Sequence, residues 1–294
     1  MMKTVTLFHY KGGIGKTTLG LVMCRLLALA GYRVLAVDMD TCQNHLSGAL
    51  GGAEREEPSL RTSKACASGI LERVIRKNAA PNLDVAALST AWCDRGTSDP
   101  EHLRKRFRFF NLEAVYDFVI IDTPPGMGRV QEISIHAADE ICVPTDLSMP
   151  SLRSLEKLLS ALGSKMKLKI VPNFLLESPG SAGPLDALQK RYPGRVVPLS
   201  IAHDQGFSSC LVPGETLFFS RIRRETAALC GRLAAELFPV DLKRMENAVD
   251  AECRSQQPVT PEPPLFQDKE LSYFPESSHD VRNSSQEMHQ VSSL

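Results

Sequence analysis

The eight residues Lys11-Gly12-Gly13-Ile14-Gly15-Lys16-Thr17-Thr18 constrain this chain more than anything else in it. They lie between an apolar run, Val5-Thr6-Leu7-Phe8, and a long apolar helical pattern from Leu19 to Ala30. Strand, glycine-rich turn and helix in that order is the setting of a phosphate-binding loop. Gly12, Gly13 and Gly15 lack Cβ atoms, so the backbone can curl and point its N–H groups inward. The free N–H groups and positive dipole end of the following helix favour an anion at the same place. The stretch Gly12, Gly13, Ile14, Gly15, Lys16, Thr17 and Thr18 is therefore the candidate nucleotide cradle. Lys16 is placed to reach β- and γ-phosphates, and Thr17 to offer its hydroxyl to Mg²⁺.

One departure from the ordinary loop is informative. Tyr10 stands where a glycine is expected five positions before Gly15, and a second lysine, Lys11, precedes the Gly-Gly pair. This variant resembles the deviant Walker A motif of the ParA/MinD group of ATPases, P-loop NTPases of the SIMIBI type. In that family the first lysine reaches into the nucleotide site of a partner subunit. The resemblance implies catalytic roles for Lys11 and Lys16, ATP and Mg²⁺ as cofactors, and a homodimer in the ATP-bound state.

Two further segments carry carboxylates to the ends of apolar strands, where ligands bind in open α/β sheets. Arg33-Val34-Leu35-Ala36-Val37 runs into Asp38-Met39-Asp40-Thr41-Cys42-Gln43-Asn44. Here the ParA group has Asp-x-Asp-Pro-Gln-Gly-Asn: Asp38, Asp40 and Asn44 match, and Thr41, Cys42 and Gln43 do not. By resemblance Asp40 positions the attacking water and lies near the metal. Phe118-Val119-Ile120-Ile121-Asp122 is a Walker B pattern, a buried strand delivering one carboxylate toward Mg²⁺ through water. The Thr123-Pro124-Pro125-Gly126 that follows matches the family's switch region. Lys169-Ile170-Val171-Pro172-Asn173 is a strand ending in the residue that, by resemblance, reads the adenine edge. Arg195-Val196-Val197-Pro198 is expected to close the set of parallel strands, with Pro198 near the base.

Between these landmarks the chain reads as follows. Residues 52–70 are polar and irregular, and Gly69–Lys77 carries a short helical pattern. Asn82–Ala86 reads as a strand, and a helix follows from Glu101. Its Arg104-Lys105-Arg106-Phe107-Arg108 run suits a solvated face better than a phosphate contact. Glu140–Pro144 reads as a strand, and Ser151–Leu162, Asp186–Tyr192 and Arg221–Phe238 as helices. ParA-like ATPases bind DNA non-specifically through surface Arg and Lys near the C-terminal helices, which makes Arg221, Arg223 and Arg224 candidate DNA contacts; Arg232 is of the same type.

Formal net charge is zero over 294 residues, so no global field draws the chain to nucleic acid or membrane. The zero hides an asymmetry. Residues 240–294 hold 5 Lys/Arg and 10 Asp/Glu, leaving 29 and 24 in residues 1–239, a basic body and an acidic end. The eight cysteines form no CxxC. With no secretory signal before the first strand, they read as reduced thiols of a cytoplasmic protein. No apolar run approaches 18 residues, so no transmembrane helix is expected. From Ser255 onward, eight serines and five prolines in 40 residues point to a disordered tail.

Strands alternating with helices over residues 3–239 define an α/β, doubly wound, mainly parallel sheet. Residues 1–239 form the ATPase domain, 240–254 a weakly helical extension and 255–294 the tail. The implied function is a slow ATP hydrolase that partitions a plasmid, chromosome or other cargo. It binds DNA non-specifically as an ATP dimer, is stimulated by a ParB-like protein and associates with the nucleoid. A MinD-like or cargo-positioning ATPase acting on a membrane or protein scaffold is the alternative. An iron–sulfur relative would need cysteines after Walker B, and none falls between Asp122 and Cys142. A small-molecule ligase or kinase would need a metabolite pocket that the sequence does not identify.

Overall fold

The structure is a computed structural model and describes residues 1–40, 45–51, 75–88, 99–162, 166–175, 182–209 and 221–255. Eight strands form one sheet in these residues: β1 (Lys3–Leu7), β2 (Val34–Asp38), β3 (Ile75–Ala80), β4 (Leu83–Ala87), β5 (Phe118–Asp122), β6 (Glu140–Thr145), β7 (Leu168–Leu175) and β8 (Ile201–Ala202). Their spatial order is β3-β4-β2-β5-β1-β6-β7-β8. Every pairing is parallel except the β3–β4 hairpin.

The strands are apolar on both faces because both are covered. In β5, Phe118 and Ile120 face one core, while Val119 and Ile121 face another. β2 alternates in the same way, with Val34 and Ala36 on the first side and Leu35 and Val37 on the second. The first side is packed by α1 (Lys16–Leu29), α9 (Arg224–Leu237) and α10 (Leu242–Ser255). The second side is covered by α3 (His102–Phe109), α4 (Leu112–Val115) and α5 (Arg129–Ala137), and further along the sheet by α6 (Met149–Leu162) and α7 (Ala182–Arg191). Two short helices, α2 (His45–Ala49) and α8 (Gly206–Ser209), complete the set among the described residues. None of these helices is long and apolar enough to cross a membrane.

Three sequence expectations need correction. Residues 75–77, read as the end of a helix over Gly69–Lys77, lie in β3; residues 69–74 fall outside the described residues. A two-residue turn, Pro81-Asn82 with Asn82 at φ 62°, folds β3 back on β4, and tertiary pairing overrides the local pattern. The strand expected at 195–198 is only an isolated bridge from Val196 to Ile170. Pro198 has no N–H to extend it, and β8 forms instead at Ile201–Ala202. Finally, the segment expected as a weakly helical extension is α10, whose Met245, Ala248 and Val249 are buried in the same core as α1 and α9. Asn44, the Thr41-Cys42-Gln43 departure and residues 256–294 of the serine- and proline-rich tail lie outside the described residues.

Candidate functional site

The parallel strands deliver their C-terminal ends to one edge of the sheet. Register places Leu7 and Asp38 each opposite Asp122, so the phosphate loop and both strand-end carboxylates meet there. Gly15, with φ 87°, turns the chain into α1. Beside it opens a cleft of about 400 Å³. Its wall includes Gly12, Gly13, Gly15, Lys16, Thr17 and Thr18 of the loop, together with Asp40 and His45. Thr123 and Pro125 of the expected switch segment complete this wall. That segment is tied to the first strand and loop: Thr123 Oγ1 donates to Leu7 O at 2.7 Å and the Gly126 N–H to Tyr10 O at 2.9 Å.

The two lysines of the loop occupy different environments. Lys16 is 6% exposed and its ammonium donates to Lys11 O at 3.3 Å. Burial lowers its pKa, opposed by the charges of Asp122 and Asp40. Lys11 is absent from the cleft wall; its Nζ pairs with Asp146 Oδ2 at 2.6 Å.

Asp122 is fully buried. Its Oδ2 accepts the Thr17 hydroxyl at 2.7 Å, while its Oδ1 has no hydrogen-bond partner. Burial, helped by the neighbouring Asp38, pushes its pKa up to about 7. Asp38 is spent on structure: its Oδ2 accepts from the Ser47 N–H and hydroxyl, and its Oδ1 from the Asp40 N–H. That last bond holds Asp40 at the cleft. The fit to Mg²⁺ is good. An orphaned buried carboxylate oxygen, a threonine hydroxyl and a second carboxylate are hard oxygen donors of the kind that cation takes. No group of three or more His, Cys, Asp or Glu able to hold a metal occurs among the described residues. Thr17 would bind Mg²⁺ directly, and Asp122 and Asp40 nearby.

The cleft is also lined by Phe174, His203, Asp204 and Phe207, which the sequence did not single out. Phe174 and His203 lie with ring centroids 5.8 Å apart, and Phe174 and Phe207 6.4 Å apart. Phe174 holds φ 54°, a costly conformation for an aromatic residue and one that gathers at ligand sites. Asn173 is 2% exposed and donates its amide to Ile14 O at 2.8 Å, tying the end of β7 to the loop. Pro198 is exposed and outside the cleft wall, to which the chain contributes His203, Asp204 and Phe207 only after β8.

This packing makes Gly15 irreplaceable. A Cβ there would meet Asn173 Nδ2 at 2.4 Å and Phe174 Cε2 at 2.6 Å, on a backbone that side chains rarely adopt. Gly15→Ala is expected to cost on the order of 2 kcal/mol or more in stability and to weaken nucleotide binding as the loop shifts. Thermal unfolding and a nucleotide titration check both parts; a variant with unchanged melting temperature and affinity would contradict this geometry.

The arginines proposed from sequence cluster at the start of α9. Arg223 donates to Asp204 Oδ2 at 3.4 Å and to His203 O at 3.2 Å, and Arg224 pairs with Asp250 at 3.0 Å. Arg221 is exposed. In the basic run of α3, Arg104 pairs with Asp139 and Lys105 with Asp99, as expected of a solvated face.

A doubly wound parallel sheet with a glycine-rich loop after its central strand, a buried lysine and a strand-end carboxylate on the loop threonine defines a P-loop nucleotide-binding protein. A family model described as an AAA domain matches residues 2–173. The virulence plasmid ParA family protein pGP5-D of Chlamydia psittaci is 30% identical over 221 residues, 72% of this chain and 85% of that protein. The maintenance of carboxysome distribution protein A of Synechococcus elongatus is 27% identical over 238 residues, 74% and 92% of the two chains. Among solved structures, an ATP complex of a Cyanothece McdA variant superposes with a TM-score of 0.60 at 24% identity, covering 88% of this chain and 98% of that one. The chain belongs to the ParA/MinD-type family of partition and positioning ATPases.

Proposed function

We propose that the chain is a slow, partner-stimulated ATP hydrolase that closes into a dimer around two nucleotides and binds DNA non-specifically in that state, so partitioning a plasmid, chromosome or other cargo. The observation that carries this reading is the division of labour between the two loop lysines. Lys16 lies inside the cleft, where it meets β- and γ-phosphates of its own nucleotide. Lys11 lies outside the cleft wall, paired with Asp146 and with its side chain 36% exposed, so that it can turn to a facing subunit once that pair opens. Mg²⁺, held by Thr17 with Asp122 and Asp40 nearby, neutralises developing phosphate charge when bound. Asp40 orients the attacking water. Phe174, His203 and Phe207 offer ring faces to the base.

In this reading Arg221, Arg223 and Arg224 of two subunits form one basic surface on dimerisation, a ParB-like protein accelerates turnover, and the protein is cytoplasmic and nucleoid-associated when ATP-bound. Residues 1–239 carry the nucleotide-site landmarks of the ATPase, α10 packs on the same core, and the chain beyond residue 255 serves a separate role. Positioning a cargo on a protein scaffold is the second reading; the similarity to the carboxysome distribution protein supports a positioned cargo. A membrane-cycling mode is less suited to the described C-terminal helix, since the apolar residues of α10 are already packed against the body.

Binding to random-sequence duplex DNA decides between them. With Mg-ATP the chain is expected to bind, with affinity falling steeply between about 50 and 200 mM salt as counterions are released. With ADP or no nucleotide, or in a Lys11→Ala variant that still binds ATP, binding is expected to be lost. Absence of binding in every nucleotide state would refute the DNA reading and leave the scaffold reading.

A further inference from the structure

We infer that Asp146 and Ser148, between β6 and α6, are positioning residues that hold Lys11 retracted from the nucleotide site and must release it before it can reach any phosphate. The inference rests on the dimer reading above and adds to it a built-in brake.

Three observations converge on it. The Lys11 ammonium donates to Asp146 Oδ2 at 2.6 Å and to Ser148 Oγ at 3.3 Å, while Gly12 and Gly13 beside it line the cleft. The backbone of Lys11 is fixed as well, its N–H donating at 3.0 Å to Nδ1 of His9, which is fully buried. Leu147, between the two acceptors, holds φ 59°, a left-handed conformation unfavourable for a branched side chain. That turn is stitched by Asp146 itself, whose Oδ1 accepts the Ser148 N–H at 3.0 Å and the Ser148 hydroxyl at 2.7 Å. Burial works against the Asp146 carboxylate, but hydrogen bonds from Lys11, Ser151 and Ser148 outweigh it and hold it well below the usual carboxylate range.

A lysine in this position cannot also serve a facing subunit. Each dimer would break two such pairs, so the ion pair subtracts from the free energy of closure and keeps the chain monomeric until ATP phosphates offer a stronger partner. Asp146 is outside the cleft wall, so its replacement leaves the nucleotide cradle intact.

The test has two arms on the full chain. First, acylation of Lys11 by acetic anhydride is followed by mass spectrometry without nucleotide, with exposed Lys157 as internal reference. Asp146→Asn is expected to raise the Lys11 rate about threefold or more, and Ser148→Ala to raise it less. An unchanged rate in both variants would overturn the retraction. Second, dimerisation with Mg-ATP is measured by sedimentation. Asp146→Asn is expected to tighten the dimer about tenfold, two partly exposed pairs no longer being broken. A wild-type chain that dimerises with ATP while Asp146→Asn dimerises no better would overturn the brake. If neither chain dimerises although Lys11 labelling rises, the dimer reading falls and the brake with it; the first arm then shows that the ion pair itself was real.

Discussion

Lys16→Ala is expected to lower ATP turnover by at least about 100-fold and to weaken binding of ATP more than of ADP. The reason lies in the state of this lysine before nucleotide arrives. The residue is 6% exposed, its ammonium makes one hydrogen bond at 3.3 Å to a backbone carbonyl, and burial depresses its pKa. A desolvated cation with spare donors gains more from a γ-phosphate than a hydrated surface lysine would. The same argument sets the stability outcome. Removing a buried, under-paired charge should leave the melting temperature of the nucleotide-free protein unchanged or higher. Phosphate release and a fluorescent-nucleotide titration measure the first part, thermal unfolding the second. Turnover within a few-fold of wild type would show that Lys16 is not the phosphate ligand.

Much of this site is legible in the sequence because its chemistry is local. The loop from Lys11 to Thr18 needs its glycines and lysine at fixed offsets. Strands β2 and β5 are short apolar runs that end in Asp38 and Asp122, and both are buried on two faces as such runs require. What escaped depends on partners distant in the chain. The aromatic part of the cleft wall joins Phe174, at the end of β7, to His203 and Phe207, some thirty residues on, through a backbone conformation that no pattern announces. Asn173 was assigned to the base by resemblance alone, and the bond from its amide to Ile14 O, across 159 positions, could not be read from the sequence. The hairpin at Ile75–Ala87 hides behind mixed exposure at the sheet edge, where burial imposes no clean period on β3. A signal was available there: Pro81-Asn82 is turn chemistry between two strand-length segments. The retracted lysine could not be read at all, since Asp146 is brought to Lys11 only by the pairing of β1 with β6.

Asp122→Asn is expected to stabilise the nucleotide-free protein in a pH-dependent way while abolishing its response to Mg²⁺. In the native state the Asp122 pKa is pushed up to about 7, chiefly by burial and then by Asp38, against the hydrogen bond from Thr17 and the charge of Lys16. In the unfolded chain it returns to about 3.9. A carboxyl with a raised native pKa favours the fold while protonated. That contribution is complete below about pH 4 and is lost as pH climbs to about 7. By linkage the loss amounts to about 4 kcal/mol at most above pH 7. Asparagine keeps the oxygen that accepts from Thr17 and never ionises, so the variant escapes the loss. Its melting temperature should exceed that of the wild type by an amount that grows from pH 4 to 7 and is level above. A difference constant across that range would show that Asp122 does not titrate in the fold. Mg²⁺ reverses the ranking. The orphaned Oδ1 gains a charged neighbour only when the carboxyl is ionised, so Mg-ATP stabilisation of the wild type should weaken as pH falls below 7, with a proton taken up at the site. The asparagine variant should show neither this pH dependence nor appreciable Mg²⁺ stimulation of hydrolysis. The charge that makes the empty site costly near neutral pH is the one that recruits the cation.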